Sequence, residues 1–250
     1  MAGHSKWANI KHRKVFIDAV KGKVFSKLAK EIMVAARIGG GDPAANITLR
    51  SLVQKARGFN MPADNIDRAI KKGTGELASD AMEERVYEGF APGGVSVIVA
   101  CYSDNRNRTA AEVRNVFNKS GGNLAQNGSV SRSFTRKGQL FVAADQVEED
   151  QLLEVVLEAG AEDAVLDGDA YEILTEPAAY PQVLQALETA GIPVRDSEVT
   201  LIPDSYMAIT DKGQAEQIIR FIGQLEDLDD VQNVYSNMDV DDAMLEEIAG

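Results

Sequence analysis

The chain has 250 residues, of which 44% are hydrophobic and 26% are charged, and its formal net charge is −13. These proportions are typical of a soluble globular protein of one to three domains, and no stretch has the 18 consecutive apolar residues of a membrane-spanning helix. The single cysteine, Cys101, excludes an internal disulfide and fits a reducing environment, so we expect a cytoplasmic protein.

The charge is distributed unevenly along the chain. Residues 1–72 contain 15 lysines and arginines and 5 acidic residues, whereas the rest of the chain contains 11 basic and 34 acidic residues. Because cellular salt screens charges beyond about 8 Å, a partner feels the local surface rather than the total charge. The sequence therefore predicts a basic module attached to an acidic body, with the basic module suited to an anionic polymer.

Hydrophobic residues at helical spacing predict a small helical domain of three or four helices over residues 1–78. The helix at 22–38 has an apolar face. Nearly opposite that face lie Lys23, Lys27 and Lys30. The segment GGGDP at 39–43 ends this helix, and its Asp42 and Pro43 suit the N-cap and first turn of the next helix.

From about residue 84 the periodicity changes to that of strands. Residues 84–92 and 93–103 predict paired strands, 109–119 predict a helix on that sheet, and 128–134 alternate as a further strand.

The following segment has the element order β-α-β-β-α-β, which indicates a ferredoxin-like domain. Its predicted strands are 138–144, two strands around Gly168-Asp169, and 197–203, and its predicted helices are 148–160 and 177–191.

The last predicted helix, 212–230, and the last strand, 231–237, have no sheet of their own. Because a strand needs neighbours, we expect them to return to the sheet begun at 84–134. The predicted fold class is therefore α+β, with three domains: one helical and two α/β domains of ferredoxin-like type, one of which is discontinuous. These domains comprise residues 1–78, residues 79–134 with 204–250, and the inserted residues 135–203.

No catalytic or metal-binding constellation is evident. His4, His12 and the distant Cys101 lack the spacing of metal ligands, and the apolar run around Cys101 favours a buried, inert thiol. The glycines at 39–41 and 73–75 lack the preceding strand and following Lys-Ser/Thr of phosphate-binding loops. We therefore predict a protein that is not an enzyme and has no cofactor, metal, small-molecule substrate or membrane contact.

The strongest candidate for a binding site is the opening segment, MAGHSKWANIKHRK, together with the helix at 22–38. Its basic side chains would neutralise phosphates, and its tryptophan would stack on a base or sugar. The candidate residues are Lys6, Trp7, Lys11, Arg13, Lys14, Lys23, Lys27 and Lys30. The alternative is a solvated helix face with the tryptophan packed inside the domain. We favour nucleic-acid contact, because a stable helix has little reason to carry so one-sided a charge.

Two further basic segments are candidates. SDNRNRT at 103–109 lies at a predicted strand-to-helix junction, where Arg106 and Arg108 would bind phosphate. An equal alternative is a helix-capping motif, with Asn107 or Arg108 near the N-cap and Asp104 turning the chain. In the segment 121–134, Arg132 projects from the predicted strand, but the turn signals favour a hairpin-like turn without a binding role.

These segments resemble the YebC/PmpR family, whose eukaryotic relatives include the mitochondrial translational activator of cytochrome oxidase subunit one. The resemblance covers essentially the whole chain and is carried by MAGHSKWANIKHRK at the start, GGGDP at 39–43, YEGFAPGG at 87–94, SDNRNRTAAEVR at 103–114 and GGNLAQNGSV at 121–130. It implies a three-domain α/β fold with a helical first domain, a cytoplasmic location in bacteria and no catalytic residues.

The resemblance also implies a regulatory function. Family members are usually described as DNA-binding transcriptional regulators, and some are linked to translation on ribosomes that stall at proline runs. The sequence shows no helix-turn-helix, and Arg, Asn and Gln do not cluster on one helix to read base edges, so the expected contacts are with phosphates. We predict a DNA-binding transcriptional regulator. The alternatives are a translation factor that binds ribosomal RNA or the ribosome and relieves stalling, and a protein–protein adaptor with acidic α/β domains.

Overall fold

A computed structural model describes residues 21–78 and 82–249. Within these residues the chain forms two compact units. The first contains the described residues up to 127 together with 216–234, and the second contains 128–215 together with 235–249. The α+β class with a helical N-terminal region is confirmed, while the domain boundaries stay predictions.

Three helices form the N-terminal part of the first unit: α1 (Lys21–Gly39), α2 (Ile47–Gly58) and α3 (Ala63–Thr74). Their apolar faces meet in a core that includes Leu28, Ile32, Leu49, Val53 and Ile66. Helices α1 and α3 approach so closely at Gly73 that a Cβ atom there would lie 2.3 Å from the carbonyl oxygen of Met33. Only glycine fits at this crossing.

Asn46 starts α2 and fastens it to the end of α1. Its Oδ1 accepts a hydrogen bond from the backbone N–H of Leu49 at 3.0 Å, which makes it the N-cap. Its Nδ2 donates to the carbonyl oxygens of Ala35 and Gly40, both at 2.9 Å. One buried amide thereby satisfies backbone groups of two helices.

The prediction that Asp42 is the N-cap is wrong. Its side chain accepts a hydrogen bond from the backbone N–H of Ala44 at 2.9 Å and closes a turn before α2. Aspartate suits both roles, and the periodicity does not show that a turn separates GGGDP from the helix.

The remaining elements in chain order are β1 (Glu83–Phe90), β2 (Ser96–Ser103), α4 (Arg106–Ser120), β3 (Asn123–Leu124), β4 (Phe134–Ala143), α5 (Glu149–Glu158), β5 (Ala161–Asp167), β6 (Ala170–Thr175), α6 (Tyr180–Thr189), β7 (Val194–Pro203), β8 (Met207–Ala208), α7 (Lys212–Glu226), β9 (Val231–Ser236), β10 (Met238–Asp239) and α8 (Asp242–Ala249).

The central sheet of the first unit has the strand order β3-β1-β2-β9. Strand β9, which corresponds to the predicted strand at 231–237, therefore returns to the sheet begun by β1 and β2, as predicted. Helices α4 and α7 meet through Phe117 and Phe221, whose ring centroids lie 4.9 Å apart in an edge-to-face arrangement.

The predicted strand at 128–134 is wrong. Gly128 has a φ of 87°, and residues Ser131–Ser133 form a short 3-10 turn before β4 begins at Phe134. The turn favoured for this segment is therefore present, because the left-handed glycine interrupts the alternation of the side chains.

The second unit contains an antiparallel sheet with the order β5-β6-β4-β7, which is the ferredoxin-like arrangement predicted from the β-α-β-β-α-β order. Helices α5 and α6 cover one face of this sheet. The core between them and the sheet includes Leu140, Val142, Leu152, Val156, Ile173, Val183 and Leu187.

Glu172 lies on the other face of this sheet, because its neighbour Ile173 points into the core. It is 2% exposed. Its Oε1 accepts a hydrogen bond from Gln139, and its Oε2 has no hydrogen-bond partner in the described chain. Burial raises the pKa of Glu172 to about 8; the Gln139 donation opposes this rise, and the carboxylates of Asp167 and Asp163 add to it. Glu172 is therefore mainly protonated at neutral pH.

Asn46→Ala removes the N-cap and both clamping hydrogen bonds. We expect the free energy of unfolding of the helical region to fall by about 2–3 kcal/mol, because a lost N-cap costs about 1 kcal/mol and the carbonyl groups of Ala35 and Gly40, the first of them buried, also lose a donor. Asn46→Ser is the matched control, since serine keeps a capping oxygen and we expect it to lose about half as much. Hydrogen exchange of the α2 amides measures both variants. No loss for Asn46→Ser would show that the Nδ2 contacts contribute nothing, and equal losses for the two variants would show that the cap contributes nothing.

Glu172→Gln should make stability less dependent on pH. The folded state keeps a proton up to about pH 8, whereas the unfolded chain loses it near 4.5, so wild-type stability falls as the pH rises between these values. We expect the variant to gain roughly 2–4 kcal/mol relative to wild type between pH 5 and pH 8. Urea unfolding at both pH values measures this gain. The exposed Glu154→Gln is the control, and a pH-independent difference for Glu172→Gln would contradict the assignment.

Candidate nucleic-acid interface

The structure places the predicted binding residues in three groups. Outside the described residues lie Lys6, Trp7, Lys11, Arg13 and Lys14. Lys23 lies on α1, where the structure describes its backbone. The side chains of the remaining four are described, and all belong to the first unit: Lys27, Lys30, Arg106 and Arg108.

The two lysines of α1 with described side chains are bound within the protein. Lys27 Nζ donates to the carbonyl oxygen of Glu226 at 2.9 Å. Lys30 Nζ donates to the carbonyl oxygen of Asp229 at 2.8 Å and to Oδ1 of Asp230 at 3.2 Å. These contacts fasten α1 to the turn between α7 and β9.

Asp230 is the centre of this turn's contacts and is 3% exposed. Its Oδ2 lies 2.8 Å from the Arg108 guanidinium, 2.7 Å from Thr109 Oγ1 and 3.0 Å from Ser103 Oγ. With Lys30 on Oδ1, four side chains from α1, β2 and α4 converge on one carboxylate. We call this set of five residues the Asp230 cluster.

Two hydroxyl groups complete the Asp230 cluster. Ser103 Oγ and Thr109 Oγ1 lie 2.7 Å apart, and both lie within hydrogen-bond distance of the carboxylate. Thr109 Oγ1 also lies 3.1 Å from the carbonyl oxygen of Asn105. The two hydroxyl groups have one proton each, so they donate in at most two of these four contacts at a time. The backbone N–H of Asn105 donates to Ser103 Oγ at 2.9 Å and positions the serine.

The carboxylate at the centre of the cluster stays ionised at physiological pH. Burial by itself would raise the pKa of Asp230, but hydrogen bonds from Arg108, Thr109, Lys30 and Ser103 outweigh burial and lower the pKa from 3.8 to about 2. A buried charge of this kind is stabilising only while its partners are in place.

The segment SDNRNRT caps α4. Asn105 is the N-cap, and its side chain accepts a hydrogen bond from the backbone N–H of Arg108 at 3.2 Å. The helix begins at Arg106, three residues earlier than predicted. The Arg108 side chain is 46% exposed and is paired with Asp104 at 2.9 Å as well as with Asp230, whereas Arg106 is exposed. The segment therefore does cap the helix, but the predicted N-cap at Asn107 or Arg108 is wrong, because the helix starts earlier and Asn105 is the cap. Phosphate contact by the two arginines stays a prediction.

The structure also bears on the reactivity of Cys101, on metal binding and on membrane spans. Cys101 is buried in β2, as predicted from its apolar run, and burial raises the pKa of its thiol to about 12. In the part of the chain that the structure describes, no three His, Cys, Asp or Glu side chains are grouped to hold a metal ion. No described helix combines the length and apolarity needed to cross a membrane.

Sequence reasoning missed Asp230. It lies in the acidic run LEDLDD, where Asp227 and Asp229 are exposed and look the same in sequence. Its only local signal is its position directly before the apolar strand β9, where a buried side chain is expected. Its partners come from segments more than 100 residues away, so no local pattern predicts them.

The chain matches two family models along most of its length. The TACO1/YebC protein N-terminal domain matches residues 5–76, and the TACO1/YebC second and third domain matches residues 82–238. The chain belongs to the TACO1/YebC family. The resemblance noted from the sequence motifs is therefore confirmed.

Relatives in this family are similar over their full length. A probable transcriptional regulatory protein of Geobacter sulfurreducens is 51% identical over 99% of this chain and 100% of its own. One from Halothermothrix orenii is 50% identical over 99% of both chains. The crystal structure of a conserved hypothetical protein from Aquifex aeolicus is 47% identical, covers 94% of this chain and 97% of its own, and superposes with a TM-score of 0.84.

Asp230→Asn should destabilise this TACO1/YebC protein by about 3 kcal/mol at pH 7, because Lys30 and Arg108 lose their buried partner. Asp229→Asn is the matched control, since that side chain is exposed and only its backbone carbonyl meets Lys30. Denaturant unfolding compares the two variants.

The pH dependence gives a second readout of the same pair of variants. Because the folded-state pKa of Asp230 is depressed, its contribution is present above about pH 3.8 and is lost as the pH falls towards 2. Asp230→Asn should lack this acid-dependent loss and Asp229→Asn should retain it. Identical stability of the two variants at pH 7 would refute the role of the cluster.

Proposed function

We propose that the protein is a cytoplasmic nucleic-acid-binding regulator of gene expression that acts by binding and not by catalysis. The observation that carries this proposal is the segregation of charge: the N-terminal 72 residues hold three times as many basic as acidic side chains, and the rest is strongly acidic. Relatives that are about 50% identical are named probable transcriptional regulatory proteins, which supports the regulatory part.

The proposed contact surface is the basic N-terminal region. The opening segment and the start of α1 supply Lys6, Trp7, Lys11, Arg13, Lys14 and Lys23. Phosphate contacts by Lys27, Lys30 and Arg108 would have to replace hydrogen bonds within the protein, so we assign these three a weaker part. Arg106 is exposed at the start of α4 and adds a further contact.

Lysine and arginine contacts to phosphates position a protein without reading sequence. We therefore expect duplex DNA and structured ribosomal RNA to compete for the same surface, so a translational role would use the same contacts. The acidic α/β part would be repelled by the polymer, and this repulsion would orient the complex.

The salt dependence of binding tests the proposal. If about six phosphates are neutralised, the logarithm of the association constant should fall with the logarithm of salt concentration with a slope of about −5. Fluorescence anisotropy of a labelled DNA duplex, titrated at several salt concentrations, measures the slope.

A charge-neutral variant locates the contacts. Replacing Lys6, Lys11, Arg13 and Lys14 together by glutamine should reduce the slope by about 3 to 4 and weaken binding. Lys119→Gln, which neutralises an exposed lysine on α4, is the control and should change neither. A wild-type slope near zero would overturn the proposal and favour the adaptor, which uses the acidic surface.

A further inference from the structure

Helix α4 departs from the acidic character of the chain beyond residue 78. It contains four basic residues, Arg106, Arg108, Arg114 and Lys119, and one acidic residue, Glu112. Every other described α-helix beyond residue 78 has at least as many acidic as basic residues. A polyanion that is repelled by those helices can therefore approach α4.

A row of exposed side chains runs along α4: Asn107, Ala111, Arg114 and Asn118. Their spacing of four, three and four residues keeps them within about 60° of one another around the helix axis. With a rise of about 1.5 Å per residue, the row is about 16 Å long. Val113 is fully buried and lies at least about 100° around the axis from each member of the row, so the row faces away from the core.

The row carries a single charge, that of Arg114. Glu112, the only acidic residue of α4, lies about 130° around the axis from the middle of the row. Lys119 lies about 110° away, on the same flank as Glu112. A ligand at the row therefore meets uncharged side chains and one guanidinium group, and no carboxylate of α4.

The polar side chains of this row are not used by the fold. No hydrogen bond or ion pair joins the side chains of Asn107, Arg114 or Asn118 to any residue that the structure describes. Arg108 differs in this respect, because it is paired with Asp104 and Asp230. A hydrogen-bonding ligand at the row would displace only water.

The asparagines do not help to form the helix either. Asparagine is one of the poorer helix formers, whereas alanine, glutamate, lysine and glutamine form helices well. Asn118 and the nearby Asn115 are exposed and lie within α4, where any of these four residue types would stabilise the helix more. Residues that weaken a helix and bond to nothing in the described chain favour a binding role over a merely solvated face.

We propose that α4 reads base edges in the major groove of duplex DNA through Asn107, Ala111, Arg114 and Asn118. The asparagine amides bond N6 and N7 of adenine, the Arg114 guanidinium bonds O6 and N7 of guanine, and the Ala111 methyl group contacts the methyl group of thymine. The major groove of B-DNA is about 12 Å wide and admits an α-helix. A row of about 16 Å spans four to five base pairs.

This assignment rests on the proposed function and supplies what its phosphate contacts lack. Contacts to phosphates hold a nucleic acid without choosing a sequence, whereas contacts to base edges choose one. The major groove of A-form RNA is too deep and narrow for side chains to read. The row therefore favours duplex DNA over structured ribosomal RNA as the specific ligand.

The row corrects one expectation from the sequence. Arg, Asn and Gln are not expected to cluster on one helix, but α4 gathers two asparagines and an arginine on one face. The sequence predicts the helix over 109–119, which leaves Asn107 outside it. Because the helix begins at Arg106, Asn107 lies one turn before Ala111 and joins the row.

The first step of the experiment finds the preferred sequence. A pool of DNA duplexes with a randomised central segment is carried through repeated rounds of binding to the full-length protein. We expect adenine and guanine to be enriched within a segment of four to five base pairs. Wild type should bind the enriched duplex about 100-fold more tightly than a scrambled duplex of the same composition.

Three variants then test the row without changing the net charge: Asn107→Ala, Asn118→Ala and Arg114→Lys, which removes the planar fork of the guanidinium group. Each should lower the ratio between the affinities for the enriched and scrambled duplexes about tenfold. The affinity for the scrambled duplex should stay within twofold of wild type, with an unchanged salt slope. An equal loss for both duplexes would refute base reading. Unfolding midpoints confirm that the variants fold.

The control is Arg50→Lys with Arg57→Lys on α2, whose side chains also bond to no residue that the structure describes; it should keep the wild-type ratio. If the pool enriches no sequence, or if the α4 variants keep the ratio, base reading by α4 is refuted while the proposed function stands. A preference for the same sequence in duplex RNA would refute docking in the major groove. If wild type binds no duplex at all, the proposed function itself fails.

Discussion

The buried carboxylate of Asp230 holds the first unit together. Lys30 reaches it from the helical region, Ser103 from the central sheet, and Arg108 and Thr109 from the helix that follows that sheet. An apolar contact tolerates small shifts, whereas a buried charge is stable only when each partner is within hydrogen-bond distance. The cluster therefore restricts the relative positions of these elements more tightly than apolar packing alone would.

This arrangement divides the basic residues into two classes that net charge does not distinguish. Lys27, Lys30 and Arg108 donate to acceptors within the protein, whereas no residue that the structure describes accepts from the side chains of Arg50 and Arg57. A cation that is already paired must give up a contact before it binds a phosphate, but an unpaired one gives up only water. Surface charge therefore overstates how many side chains of the helical region are ready to bind a ligand.

Much of the fold follows from local pattern. The stripe through Leu49 and Val53 predicts α2, and the alternation of strands and helices predicts the ferredoxin-like sheet, because both depend on periods of a few residues. The exact start of a helix does not follow, since Asp42 and Asn46 are equally good caps. The Asp230 cluster cannot be predicted from local pattern, because segments distant in sequence decide which one of several neighbouring acidic residues is buried. The sequence predicts that Arg50 and Arg57 lie on α2, but it does not show that the described residues offer their side chains no partner.

Sequence distance within the cluster has a consequence for synthesis. Lys30 and Asp230 are 200 residues apart, so at about 5–20 residues per second roughly 10–40 s pass between their emergence from the ribosome. During that interval β2 lacks its neighbour β9, and Lys30 and Arg108 lack the carboxylate that later binds them. The nascent chain therefore exposes more unpaired cations and a longer open sheet edge than the finished protein.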